Sequence, residues 1–167
     1  MYYTIQSILM KMKKGIMMVA LVLLVAACNK DDNENGYVQV KPIEHQIYLN
    51  IKEYRETNGH SGSFVEQYLI VAEAQKYSYR MASRMVPLGT DGLDEHWATL
   101  ENKYTFYNRT GLVLKTASED EAEILTEILQ IQGADSALLG DITQCGVGVA
   151  TDTAGFNFVT VMLAKAD

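Results

Sequence analysis

Residues 11–28 constrain this chain more than any other segment. Lys11, Lys13 and Lys14 precede an unbroken apolar stretch from Gly15 to Ala27, which closes on Val25-Ala26-Ala27 and is followed at once by Cys28. A basic start, a short apolar middle and small residues at the exit are the parts of a secretory signal. The competing readings are a plain signal peptide or a membrane span with a chance cysteine. A span needs roughly 20 apolar residues, and this stretch is shorter. Residues 1–27 are therefore set aside from fold reasoning as a segment to be removed.

The cysteine directly after the small residues makes Val25–Cys28 resemble a bacterial lipobox, with Cys28 as the lipidated first residue of the mature chain. The resemblance implies diacylglycerol on its sulfur and an acyl chain on its amine. One acyl chain holds a protein only marginally at a bilayer, and several together anchor it stably. Met10 or Met12 would open a shorter signal of more usual length. Behind Cys28 runs Asn29-Lys30-Asp31-Asp32-Asn33-Glu34-Asn35-Gly36, which carries no apolar side chain to bury and reads as a tether over 28–42. Lys30-Asp31-Asp32 resembles the surface-export signal of lipoproteins in one group of Gram-negative bacteria. The expectation is an outer-membrane protein anchored by lipid and facing the cell surface, with a periplasm-facing anchor as the alternative.

Removing residues 1–27 leaves 140 residues, and because only lysines leave with them the formal charge moves from −7 to −10. That length supports one domain with a sizeable core, over 43–167. The acidic balance opposes nucleic-acid binding, which needs a basic footprint, and opposes attraction to anionic headgroups. The membrane is thus a partner through the Cys28 lipid alone. With Cys28 acylated, Cys145 has no intramolecular disulfide partner. It sits in an apolar run and reads as a buried, inert thiol.

Periodicity predicts the elements. Ile43, Ile47, Ile51 and Tyr54 recur at helical spacing over 43–57, and Asn58-Gly59 stops that helix. A longer helix is expected over 64–85, with Ser63 and Glu66 as a capping box and Ile70, Ala74, Tyr77, Met81 and Met85 as its inward stripe. Residues 93–107 read as a short irregular helix and loop, and 111–115 as a short strand. A helix over 118–132 is expected to be capped by Ser118 with Glu121, burying Ala122, Leu125, Ile128 and Leu129. Strands over 144–150 and 156–164 flank the turn Asp152-Thr153-Ala154-Gly155 and form a hairpin. Gly146 and Gly148 suggest a bulge or a close backbone approach. The order gives an α+β fold, an α/β/α sandwich with an antiparallel sheet flanked by helices.

That order resembles the CAP superfamily of cysteine-rich secretory, antigen 5 and pathogenesis-related proteins, in its small bacterial form. The residues that carry the likeness are Leu49-Asn50 and Tyr54-Arg55 in the first helix, and Ala72, Ala74, Tyr77 and Met81-Ala82 in the second. His96 stands where the family has its first cavity histidine. Gly140-Asp141, Cys145–Ala150 and Gly155–Val159 match the family's closing glycine-rich strand, turn and aromatic strand. Two family motifs are altered. Gly111-Leu112-Val113 stands in place of Gly-Glu-Asn, and Gly133-Ala134-Asp135 in place of the Gly-His pair; an aliphatic residue near Leu129 replaces a tryptophan. Zinc takes three or four protein ligands, so the resemblance implies the fold without the family's metal, and no cofactor is expected.

His96, beside Asp94 and Glu95, forms a candidate cleft, as a general base or a remnant ligand. The plainer reading is a surface or capping histidine next to Trp97. His45 and His60 have no partner visible in the sequence. There is no His-Glu-x-x-His, no Gly-x-Ser-x-Gly and no phosphate-cradling loop, and Gly146-x-Gly148 lacks the rest of a dinucleotide fingerprint. The expected role is a non-catalytic module for an apolar, glycan or protein ligand, with Ile70, Tyr77 and Met81 as either a ligand wall or plain core. A hydrolase built on His96, or a structural envelope protein, are the alternatives.

Overall fold

The computed structural model describes residues 38–166. The signal sequence, Cys28 and Lys30-Asp31-Asp32 lie outside the described residues. Among the described residues, five helices and four strands follow in the order α1 (Pro42–Thr57), β1 (Val65–Glu66), α2 (Tyr68–Ala82), α3 (Leu93–Glu101), β2 (Phe106–Thr116), α4 (Glu121–Ile128), α5 (Ala134–Leu138), β3 (Gln144–Thr151) and β4 (Asn157–Ala166). The strands form one sheet in the order β1-β3-β4-β2. The hairpin β3–β4 and the pair β2–β4 are antiparallel, and β1 adds a short parallel edge to β3.

Strand alternation sorts the core into two layers. On β4, Val159, Val161 and Leu163 face one way, together with Leu112 of β2 and Cys145, Val147 and Val149 of β3. They meet Ile47 and Ile51 of α1, Ile124 and Ile128 of α4, and Ala134 and Leu138 of α5. Phe158, Met162 and Ala164 face the other way, against Ile70, Ala74, Tyr77 and Met81 of α2 and Leu93, Trp97 and Leu100 of α3. Helices thus cover both faces, giving the expected α/β/α sandwich. The expected α2 stripe is buried as far as Met81, but Met85 lies beyond the helix end and is 64% exposed.

Where boundaries differ, non-local contacts are the reason. Residues 64–66 do not begin a helix. The Val65 and Gln67 N–H groups donate to the carbonyls of Thr143 and Cys145, which pulls the segment into the sheet. Glu66 accepts from His45 Nδ1 at 2.8 Å instead of closing a box with Ser63, and Gln67 caps α2 by accepting from Leu69 N–H. The loop after α3 is confined to residues 102–105, because β2 begins at Phe106 and runs for 11 residues rather than the five expected. At α4, Asp120 and not Ser118 is the cap; its Oδ1 accepts from Ala122 and Glu123 N–H, both at 2.9 Å. Ile124 joins Ile128 inside, while Ala122 is exposed and Leu125 and Leu129 are half-buried. Gly133, at φ +82, turns the chain into the short α5.

Candidate functional site

On α2, Glu73, Lys76, Tyr77 and Arg80 recur at spacings of three and four, so they share one side of the helix. On α3, the same spacing places His96, Trp97 and Leu100 inward, with Glu95 and Thr99 at the edge. Where these faces meet, they line a cleft of about 390 Å³ formed by Glu73, Lys76, Tyr79, Arg80, Glu95 and His96, with Met85 and Thr99 at its margin.

His96 is buried, not a surface or capping residue as the plainer reading had it: its side chain is 6% exposed. Its Nδ1 lies 2.8 Å from Glu73 Oε2, and its ring meets Tyr77 edge-on with centroids 5.3 Å apart. Nε2 faces Arg80 Nη1 at 3.4 Å. A guanidinium only donates, so in this arrangement Nε2 accepts from Arg80 and Nδ1–H donates to Glu73. Glu73 also accepts from Lys76 Nζ at 2.6 Å, and Arg80 Nη1 donates to Glu95 Oε2 at 2.8 Å. Burial works against the charge on Glu73, but the bonds from His96 and Lys76 together outweigh it and hold its carboxyl below the usual carboxylate range.

The chemistry this permits is narrow. A general base needs a free acceptor within hydrogen-bond reach of the proton it removes; here Nε2 is turned to a permanent donor. At the cleft margin, Thr99 Oγ1 donates to the Glu95 carbonyl at 3.1 Å. The network therefore works as a clamp tying α2 to α3. A carboxylate with a depressed pKa contributes stability above its unfolded pKa and loses it as pH falls through the folded one. Glu73→Gln should thus lower the urea midpoint at pH 7. The gap from the unaltered protein should narrow as pH drops below 4.5, the carboxyl's ordinary value. A gap equally wide at pH 3 would mean the loss is steric.

Of the expected cleft, Glu95 and His96 come together and Asp94 does not. Asp94 is exposed and pairs with Arg109 at 3.6 Å, in a separate depression beside Trp97 and Gly111. Glu73, Lys76 and Arg80 were missed, although their helical spacing beside Ala74, Tyr77 and Met81 was the available signal. Cys145 is fully buried, and burial pushes its thiol pKa up. The altered family positions are also placed. Leu112 and Ala134 are both core residues on the α1 side of the sheet, whereas His96 packs on the α2 side. The sheet stands between them, so His96 does not share a cavity with those two positions, and neither offers a metal donor. Among the described residues, no group of three or more His, Cys, Asp or Glu side chains is gathered to hold a metal ion.

A scan against protein-family models finds no match, and a search of curated proteins finds none. Solved structures do match. An outer surface protein from Borrelia burgdorferi aligns with a TM-score of 0.63 at 12% identity, over 78% of this chain and 97% of that one. An extracellular SCP-domain protein from Bacillus anthracis gives 0.60 at 17% identity, over 76% of this chain and 44% of that one. A cysteine-rich secretory protein from Staphylococcus aureus gives 0.60 at 17% identity, over 81% and 40%. The chain thus spans less than half of the latter two. At such identities the likeness speaks for the fold, and the fold of this domain is CAP-like, that of SCP-domain and cysteine-rich secretory proteins.

Proposed function

We propose that this chain is a cell-envelope lipoprotein, anchored through acylated Cys28 at the outer membrane and displayed at the cell surface, whose CAP-like domain is a non-catalytic binding module for a protein, glycan or apolar ligand. The observation that carries the non-catalytic part is the engagement of both His96 ring nitrogens, on Glu73 and Arg80. Surface and extracellular proteins among the structural neighbours support the location. No helix among the described residues is long and apolar enough to cross a membrane, which fits attachment through the lipid.

Metabolic labelling tests the anchor. The full chain, expressed in a Gram-negative host and fed radiolabelled palmitate, should carry label and sediment with the outer membrane. Cys28→Ser should lose both properties. A Cys28→Ser protein that still sediments with membranes would overturn the anchor. External protease on intact cells should digest the native protein and spare a variant with Lys30, Asp31 and Asp32 all changed to alanine. Equal protection of the two would place the domain on the periplasmic side.

A further inference from the structure

A second polar feature, apart from the Glu73–His96 network, stands at the end of α1. Arg55, in the last turn of α1, is 5% exposed. Its Nη1 donates to the carbonyls of Leu138 and Gly140 and its Nη2 to that of Ile142, and its guanidinium lies 4.6 Å from the Phe64 ring centroid. The protein groups it bonds are therefore neutral, and its Nε is buried with no partner. A buried cation normally has a counter-charge. Burial is the largest influence on this guanidinium and lowers its pKa; Asp141 offsets part of that through space. Asp141 itself is bound to Lys165 Nζ at 2.6 Å, so that pair is already neutral. A local excess of positive charge remains, in a chain whose formal charge is −7.

Arg55 lines a cleft of about 320 Å³ with His60, Gly62, Ser63, Thr143 and Asp141. Among the described residues, the His60 ring, the Ser63 and Thr143 hydroxyls and the Gly62 N–H carry no hydrogen-bond partner. Four unspent donor groups thus line a cleft with one buried cation that no carboxylate hydrogen-bonds. A planar carboxylate is best held by an arginine fork, and much of this fork is spent on carbonyls. Separate donors on two different segments suit a tetrahedral oxyanion instead.

We propose that this cleft is an oxyanion site that takes a phosphate group, either free or carried on a small phosphomonoester. Ser63, Thr143, His60 and the Gly62 N–H make the contacts, and Arg55 supplies charge from behind them. The test is calorimetric titration of the full chain in detergent with inorganic phosphate, glycerol 3-phosphate and acetate. Saturable binding of either phosphate, with acetate weaker, is the expected result, and the stronger of the two phosphates tells free from esterified ligand. Ser63→Ala with Thr143→Val should weaken that binding about tenfold or more with an unchanged thermal midpoint. Arg55 is left intact, because its loss would free three buried carbonyls. Absence of saturable binding, acetate binding as tightly as phosphate, or phosphate binding that ignores the double variant would each overturn the site and leave Arg55 as a clamp on the α5–β3 loop.

Discussion

Gly148→Ala is expected to destabilise the domain by about 3 kcal/mol. A Cβ at Gly148 would fall under 3.0 Å from the Ala74 carbonyl carbon and oxygen and the Gln75 nitrogen, all helix backbone. Gly146 stands against α2 in the same way, at Ile70 and Val71. The helix backbone can yield only if α2 lifts from the sheet, and that would loosen Ile70, Ala74, Tyr77 and Met81 together. It would also stretch the bond from Ser78 Oγ to the Gly148 carbonyl, 2.8 Å long. The opposing effect is small. Where alanine fits, replacing glycine stabilises by about 0.4–1 kcal/mol through the unfolded chain, so the steric cost decides the sign. Gly62 is the control: a Cβ there meets nothing within 4 Å. Urea denaturation should show a large loss for Gly148→Ala and a near-neutral Gly62→Ala. A neutral Gly148→Ala would mean that the helix and sheet are less closely seated than described.

Those two glycines mark where the sequence was most legible. Interrupting an apolar strand twice at the same facing has a cost in strand propensity, and close approach of a helix is the return. The inward stripe of α2 was readable for a related reason, since a two-sided burial pattern forces apolar residues to helical spacing. β1 was not readable. Two residues make a strand there only because Thr143 and Cys145 present free carbonyls, and those lie far along the chain. The same holds for the site. His96 stands out as a rare residue type, but its meaning lies in Glu73, 23 positions earlier on another helix. Nothing local in either segment shows that α2 and α3 will bring them together. Asp94 illustrates the converse, since adjacency to His96 in sequence points its side chain to another surface of α3.

Glu44 carries the other large effect, and it shows how a short β1 is tolerated beside a long β3. β1 covers β3 only at Gln144 and Cys145, so further along that edge the strand needs other partners. Glu44, fully buried on α1, takes the Val149 N–H on Oε1 at 2.9 Å. Its Oε2 accepts from the Lys41 N–H at 2.8 Å, closing the start of α1, and from Gln75 Nε2 at 2.6 Å, which joins α2. Lys41 Nζ stands 3.4 Å from Oε1 and also donates to the Val149 carbonyl. One carboxylate therefore links both helical layers to the sheet edge. Glu44→Ala removes it and leaves buried donors without an acceptor, and breaking such a buried pair costs about 3–5 kcal/mol. Glu44→Gln keeps the shape and one acceptor oxygen but turns an NH2 group toward a donor, for a loss of about 1–3 kcal/mol. Thermal and urea unfolding of the two variants should rank them in that order. Hydrogen exchange at Val149 should accelerate in Glu44→Ala more than at Val159, the residue opposite it on β4. Equal protection of Val149 in the variant and the unaltered protein would mean that something other than Glu44 closes the β3 edge.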